Sequence, residues 1–445
     1  MDIPGLINSF GDTLHTVVVF IVALSIIVSV HEYGHYIVGR WSGIHAEVFS
    51  IGFGPRLWSR VDKRGTRWQV AAFPFGGYVK FLGDANAASA GADETTMAKL
   101  SDDERRHTMH GAPLWARAAT VFAGPLFNFI LSILVFGGLL FASGIATDAP
   151  EIETLRPVPV ENGLAPGDRI LAVEGVATPD YEALVGLVDK MPAAATVDYL
   201  VLRDGSELTV VGPTLFPTLV QGVLPRGAAI DAGLEVGDVI TAANGTPTPR
   251  FLDLQAVVKA SAGNPVTLTV WRDGDEFDTV LSPRPRPVTA EDGGFETGYQ
   301  IGISGGFMFD PATRRPGLGE ALLTGISQTW GIIETTFTAL GSMIVGSIST
   351  CNLSGPVGIA QVTGAAASAG LISFIGLVAA LSTAIGLLNL FPIPVLDGGH
   401  LVFHAYEWAR GRPPSDRFMN IAMAAGLALV LTLTVFGLSN DLFCR

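Results

Sequence analysis

Val30-His31-Glu32-Tyr33-Gly34-His35 closes an apolar run, Leu14 to Val30, that contains no Lys, Arg, Asp or Glu. On a helix, His-Glu-x-x-His puts His31 and His35 one turn apart on one face, where both imidazoles reach one zinc ion. Glu32 beside them can take a proton from an attacking water. Three ionisable groups next to hydrocarbon are costly and need a compensating role, which a metal site supplies. A coincidental pair of interfacial histidines would explain the spacing but not the location.

Hydrophobic residues make up 49% of the 445-residue chain and charged residues 15%. With a mean hydropathy of +0.43, these values describe an integral membrane protein rather than a soluble enzyme. The net charge of −14 argues against a nucleic-acid partner, whose phosphates require a basic surface. Two cysteines, Cys351 and Cys444, leave room for one disulfide and for no Cys-rich metal site. No basic residue precedes Arg40, so the first apolar segment reads as a retained helix rather than a cleaved signal.

About 20 apolar residues span a bilayer core, and residues 13–39, 114–143, 370–390 and 418–438 qualify. The connector after the first run carries Arg56, Arg60, Lys63, Arg64, Arg67, Lys80, Lys99, Arg105 and Arg106, and the one before the last carries Arg410, Arg412 and Arg417. Basic connectors stay in the cytoplasm, so both termini should face outward and the histidine motif should lie toward the cytoplasmic side. The long stretch from about Asp148 to Gly317 then falls outside.

That outer stretch contains an internal repeat. Gly163-Leu164-Ala-Pro-Gly167-Asp168-Arg-Ile170 recurs as Gly233-Leu234-Glu-Val-Gly237-Asp238-Val-Ile240, and Leu202-Arg203-Asp204-Gly205 as Trp271-Arg272-Asp273-Gly274. Each unit has a helix-like stretch and β-rich strands between these marks, and the pattern resembles bacterial PDZ domains. Such domains bind an extended peptide terminus by β-augmentation; the candidate loops are Pro225–Ala228 and the residues near Pro157–Val160. Serving as spacers or as a size filter explains the units equally well.

Residues 47–81 alternate apolar and polar positions around glycines. Two to four strands fit, with Gly76-Gly77 at a bend, and so apolar a hairpin beside a membrane helix should dip into the bilayer. An unfilled edge could accept a substrate strand. Residues 317–348 have apolar positions at helical spacing interrupted by Ser, Thr and Gln, and read as an amphipathic helix on the outer surface.

Two histidines leave a catalytic zinc short of its usual three protein ligands. Asp397 in Asn389-Leu-Phe-Pro392-Ile-Pro394-Val-Leu396-Asp397-Gly398-Gly399-His400 is the leading candidate. The prolines end the third membrane helix at the depth assigned to His35, and the glycines let the backbone turn. His400 competes for the same role, and Asp397 could instead merely cap the next helix.

Taken together, His31-Glu32-x-x-His35, Gly124-Pro125-Leu-Phe-Asn128, Asn389 through Gly398 and the two outer repeats resemble the site-2 protease family of intramembrane zinc metalloproteases, over nearly the whole chain. The resemblance implies that His31, His35 and Asp397 ligate Zn2+, that Glu32 is the catalytic base and that Asn128 supports the site. It further implies that Asn389 and Pro392 line the substrate path, and that the region holding Gly52, Phe53, Gly54, Phe75, Gly76 and Gly77 pairs with the substrate as a strand. Implied substrates are single-span membrane proteins already trimmed by another protease, among them an anti-sigma factor and remnant signal peptides; the implied setting is the lipid bilayer of a bacterial inner membrane. A membrane-tethered PDZ adaptor or chaperone without proteolysis is the alternative.

The expected fold is a polytopic α-helical membrane protein of about four transmembrane helices, with a membrane-associated β-hairpin region and two tandem PDZ-like domains outside the cytoplasm. Residues 1–145 form the first membrane half, 146–215 and 216–290 the PDZ-like domains, 291–368 amphipathic surface helices and a connector, and 369–445 the second membrane half.

Overall fold

The computed structural model describes residues 3–85, 91–290 and 293–444. The chain divides into two compact units. One comprises the stretch up to Leu139 with Leu318–Phe337 and Leu353–Cys444, and the other Leu140–Gly317 with Thr338–Asn352.

The first unit is built on long helices: α1 (Ile3–Trp41), α2 (Leu114–Ser143), the first part of α3 (Leu318–Ile344), α4 (Pro356–Ser368), α5 (Leu371–Asn389), α6 (Asp397–Arg410) and α7 (Asp416–Phe443). Thr13–Trp41, Leu114–Ser143, Leu371–Asn389 and Arg417–Phe443 are long and apolar enough to cross a membrane, matching the four apolar runs. The protein is a multi-pass membrane protein.

In lipid, apolar burial does little to hold helices together, so close approach at small residues and interhelical hydrogen bonds take over. Ser382 Oγ donates to the Asn128 carbonyl (2.9 Å) and Ser132 Oγ to that of Ala379 (2.7 Å), while Gly386 lies against Asn128. These contacts fix α5 against α2. At the far end of the helices, the buried Asp441 carboxylate of α7 accepts from the Gly355 and Gly358 amides (3.1 and 2.9 Å), satisfying the first turn of α4. Cys351 and Cys444 are both disulfide-bonded, so neither is a free thiol.

Strands β1 (Ala46–Val61) and β2 (Arg67–Phe81) each bend midway, so the hairpin folds into four rungs. Residues 46–51 lie between 77–81 (Ser50 opposite Tyr78) and 67–70 (Ser50 opposite Gln69), and 56–61 pairs, among the described residues, only with 67–71 (Ser59 opposite Gln69). The bends fall at Gly52 to Pro55 and at Phe73 to Gly76, where Gly52 and Gly76 take φ of +89° and +152°. Ser25 Oγ of α1 donates to the Pro74 carbonyl (3.0 Å), which ties the bent tip to α1 six residues before His31, about 9 Å along the helix.

The helix read as lying on the outer surface behaves differently. In α3, Ala321 and Gly325 pack against Gly137 and Ile133 of α2, and Phe337 meets Phe391 after α5 (ring centroids 6.2 Å apart). This first part therefore runs lengthwise beside α2. Its polar residues keep its hydropathy below that of a span, while small residues give it a protein surface to pack on.

In the second unit the repeat is visible as two sheets of the same strand order. The first contains β3 (Arg169–Val173), β4 (Val176–Ala177), β5 (Thr196–Arg203) and β6 (Ser206–Pro213), ordered β4-β3-β5-β6. The second contains β7 (Val239–Ala243), β8 (Thr246–Pro247), β9 (Val266–Arg272) and β10 (Asp275–Leu281), ordered β8-β7-β9-β10. The repeated Asp and Arg form equivalent ion pairs in which the Asp is buried and the Arg partly exposed, Arg203 Nε to Asp168 and Arg272 Nε to Asp238, each 2.6 Å. Residues past 290, expected as a connector, complete both cores: Ile303–Ser304 pairs with Gly222–Val223, and Phe309–Pro311 with Ile152–Leu155. Met308 and Phe309 belong to the first core and Ile301 to the second.

Candidate metal centre

His31 and His35 face one point from α1, their rings edge to face with centroids 4.8 Å apart. Their Nε2 atoms are 3.2 Å apart, and Asp397 Oδ2 lies 3.1 Å from that of His31 and 3.6 Å from that of His35. Ligands about 2.0–2.2 Å from a tetrahedral zinc stand roughly 3.3 Å from one another, so the three atoms match such a site. Among the described residues, His31, His35 and Asp397 form the one His/Cys/Asp/Glu group close enough to share a metal. Asp397 Oδ2 is buried without a hydrogen-bond partner. A carboxylate oxygen and two imidazole nitrogens aimed at one spot repel unless a cation lies between them.

The remaining ring nitrogens are held from α2. His35 Nδ1 lies 2.8 Å from the Thr120 carbonyl, which can only accept, so Nδ1 carries the hydrogen and Nε2 keeps its lone pair for a metal. His31 Nδ1 faces the Asn128 side-chain amide at 3.3 Å, and Asn128 Oδ1 is buried without a partner. Turning that amide by half a revolution brings Oδ1 to the ring and gives His31 the same arrangement. Gly124 completes the cradle: a Cβ there would stand 2.3 Å from His35 Nε2 and 2.8 Å from His31 Cε1.

Asp397 opens α6. The N-cap is Leu396, whose side chain makes no capping bond, and the Asp397 carboxylate turns to the histidines instead of capping the helix. Gly398 and Gly399 are needed for close approach rather than for an unusual turn: a Cβ on either would lie 2.3 Å from a carbonyl oxygen, of Leu390 or Phe391 for the first and Ile393 for the second. The His400 ring packs edge-on to Phe403, 6.1 Å between centroids, and stands outside the group.

Glu32 lies beside the cluster, and a Cβ on Gly77 would come 3.3 Å from its Cγ. Gly52, Phe53, Gly54, Phe75 and Gly76 gather at the bent tip of the sheet, with both phenylalanines exposed. Asn389 returns its amide to the Ile385 carbonyl of its own helix (3.1 Å), and Pro392 is exposed in the turn between α5 and α6. Thr120 contributes through its backbone and Gly124 through having no side chain, and neither role was read from the sequence.

A peptidase family M50 model matches residues 19–433. Chains bearing the name zinc metalloprotease match at 37% identity in Agrobacterium fabrum, over 96% of this chain and 95% of the relative, and in Mesorhizobium japonicum, over 97% and 99%. The regulator of sigma-E protease RseP of Escherichia coli K12 is 33% identical over 95% of this chain and 97% of its own length. The chain belongs to peptidase family M50, the site-2 proteases. It is an intramembrane zinc metalloprotease of regulated proteolysis, and its substrates are membrane proteins.

Proposed function

We propose that His31, His35 and Asp397 hold the zinc and that Glu32 is the general base of peptide hydrolysis within the membrane. The observation that carries this reading is the set of three ligand atoms 3.1–3.6 Å apart, with the second nitrogen of each histidine held by α2. When bound there, zinc supplies a Lewis acid that makes water a nucleophile near neutral pH and polarises the scissile carbonyl. Glu32 accepts the proton of the attacking water and passes it to the leaving amide nitrogen, so the C–N bond breaks without releasing a free amide anion.

A peptide bond inside a substrate helix is inaccessible, so the helix has to unwind, and backbone groups freed in lipid need new partners. Among the described residues, 77–81 pair with a strand on one side only, 46–51, and Gly77 adjoins Glu32. An unwound substrate strand added to that free edge regains its hydrogen bonds next to the base. Gly52, Phe53, Gly54, Phe75 and Gly76 shape the sheet that presents it, and Asn389 and Pro392 border the approach to Asp397.

The basic connectors favour a bacterial inner membrane in which this site lies toward the cytoplasm and the repeat units in the periplasm. We read those units as PDZ-like domains that admit only trimmed, single-span substrates. The likeness to a protein named regulator of sigma-E protease supports an anti-sigma factor among them, with remnant signal peptides as a second class. The ligand assignment is tested by metal analysis of purified variants. His35→Ala and Asp397→Asn are expected to lose zinc, and His400→Ala to keep it; zinc retained by Asp397→Asn and lost by His400→Ala would reverse the assignment.

A further inference from the structure

The β-sheet beside α1 carries two kinds of exposed residue, separated along its length. At the bent tip tied to Ser25, Phe53, Phe73 and Phe75 are exposed. At the opposite end the turn between β1 and β2 exposes Arg60, Lys63, Arg64 and Arg67, with the one acidic residue among them, Asp62, partly buried. Asp62 accepts from the Arg64 and Thr66 amides (2.8 and 3.0 Å) and from Trp68 Nε1 (3.2 Å), and lies 3.9 Å from Arg40. The four basic side chains form no ion pair among the described residues. This end is also where α1 stops: Arg40 and the exposed Trp41 close the helix, and Thr66 Oγ1 donates to the Ala46 carbonyl (2.8 Å).

We propose that this basic turn is a docking surface for anionic phospholipid headgroups. The sheet spans from hydrocarbon depth at Pro74 to the end of α1, so the turn stands where headgroups lie. An excess of four uncompensated cations in a chain of net charge −14 complements a negatively charged leaflet, toward which each basic residue is drawn. Trp58, Val61 and Trp41, all exposed nearby, suit the boundary between hydrocarbon and headgroup. Anionic lipid would then set the depth of the sheet whose other edge adjoins Glu32. The inference rests on the sheet lying in the bilayer and not on the catalytic assignments.

The test uses the full chain with Ser59→Cys, labelled with a fluorophore at that exposed position; both native cysteines are disulfide-bonded, so the label is unique. Two sets of vesicles share one composition, phosphatidylcholine with phosphatidylglycerol, and differ only in which lipid carries brominated, quenching chains. At low ionic strength, brominated phosphatidylglycerol is expected to be enriched about fivefold at the label, and the bias should fade as salt is raised. Changing Arg60, Lys63, Arg64 and Arg67 together to Gln should abolish it, while Glu32→Gln should leave it intact. Equal quenching by the two lipids in the native sequence, or a bias that survives the fourfold change, would overturn the proposal.

Discussion

Gly124 leaves the space in which the His31 and His35 rings converge. A methyl group there would occupy the space in front of His35 Nε2, so Gly124→Ala is expected to weaken zinc binding at least ~10-fold, the scale on which cradle residues act. Competition against a chelator measures it, and unchanged affinity would remove Gly124 from the site. At this scale the cluster of His31, His35 and Asp397 that the structure brings together was legible, because His-Glu-x-x-His and an Asp after a proline-broken helix suggest metal chemistry through residue type and spacing. Asn128 came through resemblance alone, since an Asn inside an apolar helix has many uses. Thr120 was out of reach for a different reason: its contribution is a carbonyl that every residue possesses.

The helix α6 presents Asp397 and has to be held where it stands. Arg117 of α2 grips Glu407 with two hydrogen bonds of 3.0 and 2.7 Å, and His404 lies beside this pair with its Nδ1 buried and unpartnered. Burial, with Arg117 and His400 nearby, pushes His404 down to about 4. The folded chain thus keeps this imidazole neutral while the unfolded chain takes up a proton near its ordinary value of 6.5. Its contribution to stability is complete above about pH 6.5 and is lost as pH falls toward 4. Thermal unfolding in detergent should therefore show a loss of roughly 1–2 kcal/mol between pH 7 and pH 5 that shrinks in His404→Phe; an equal loss in both proteins would contradict this. The four spans and the strand-rich hairpin were readable from apolar runs and alternation. The course of α3 was not: its polar residues suggested a surface helix, and only the pairing of Ala321 and Gly325 with Gly137 and Ile133 reveals that it lies along α2.

Across the whole molecule, the repeat was legible from its Gly-Asp marks, but the strands that complete both cores return from beyond residue 300, a long-range pairing that no local pattern announces. That return path shows how to remove the two repeat units cleanly. Ile145–Ala146 pairs with Thr313–Arg314, and the Thr147 amide donates to the Ala312 carbonyl (2.9 Å). Residues 148–311 can therefore be replaced by a short glycine linker without separating the ends. If the repeat units screen substrates, the shortened enzyme should cut a full-length, untrimmed membrane protein that the intact chain leaves alone; no new cleavage would argue against a filter. The proposed role of Glu32 as base beside a zinc held by His31, His35 and Asp397 is tested by Glu32→Gln. Zinc content and cleavage of a single-span membrane substrate are measured on the same preparation. Normal zinc with cleavage reduced at least ~100-fold is expected; full cleavage at normal zinc content would contradict the role of Glu32 as base.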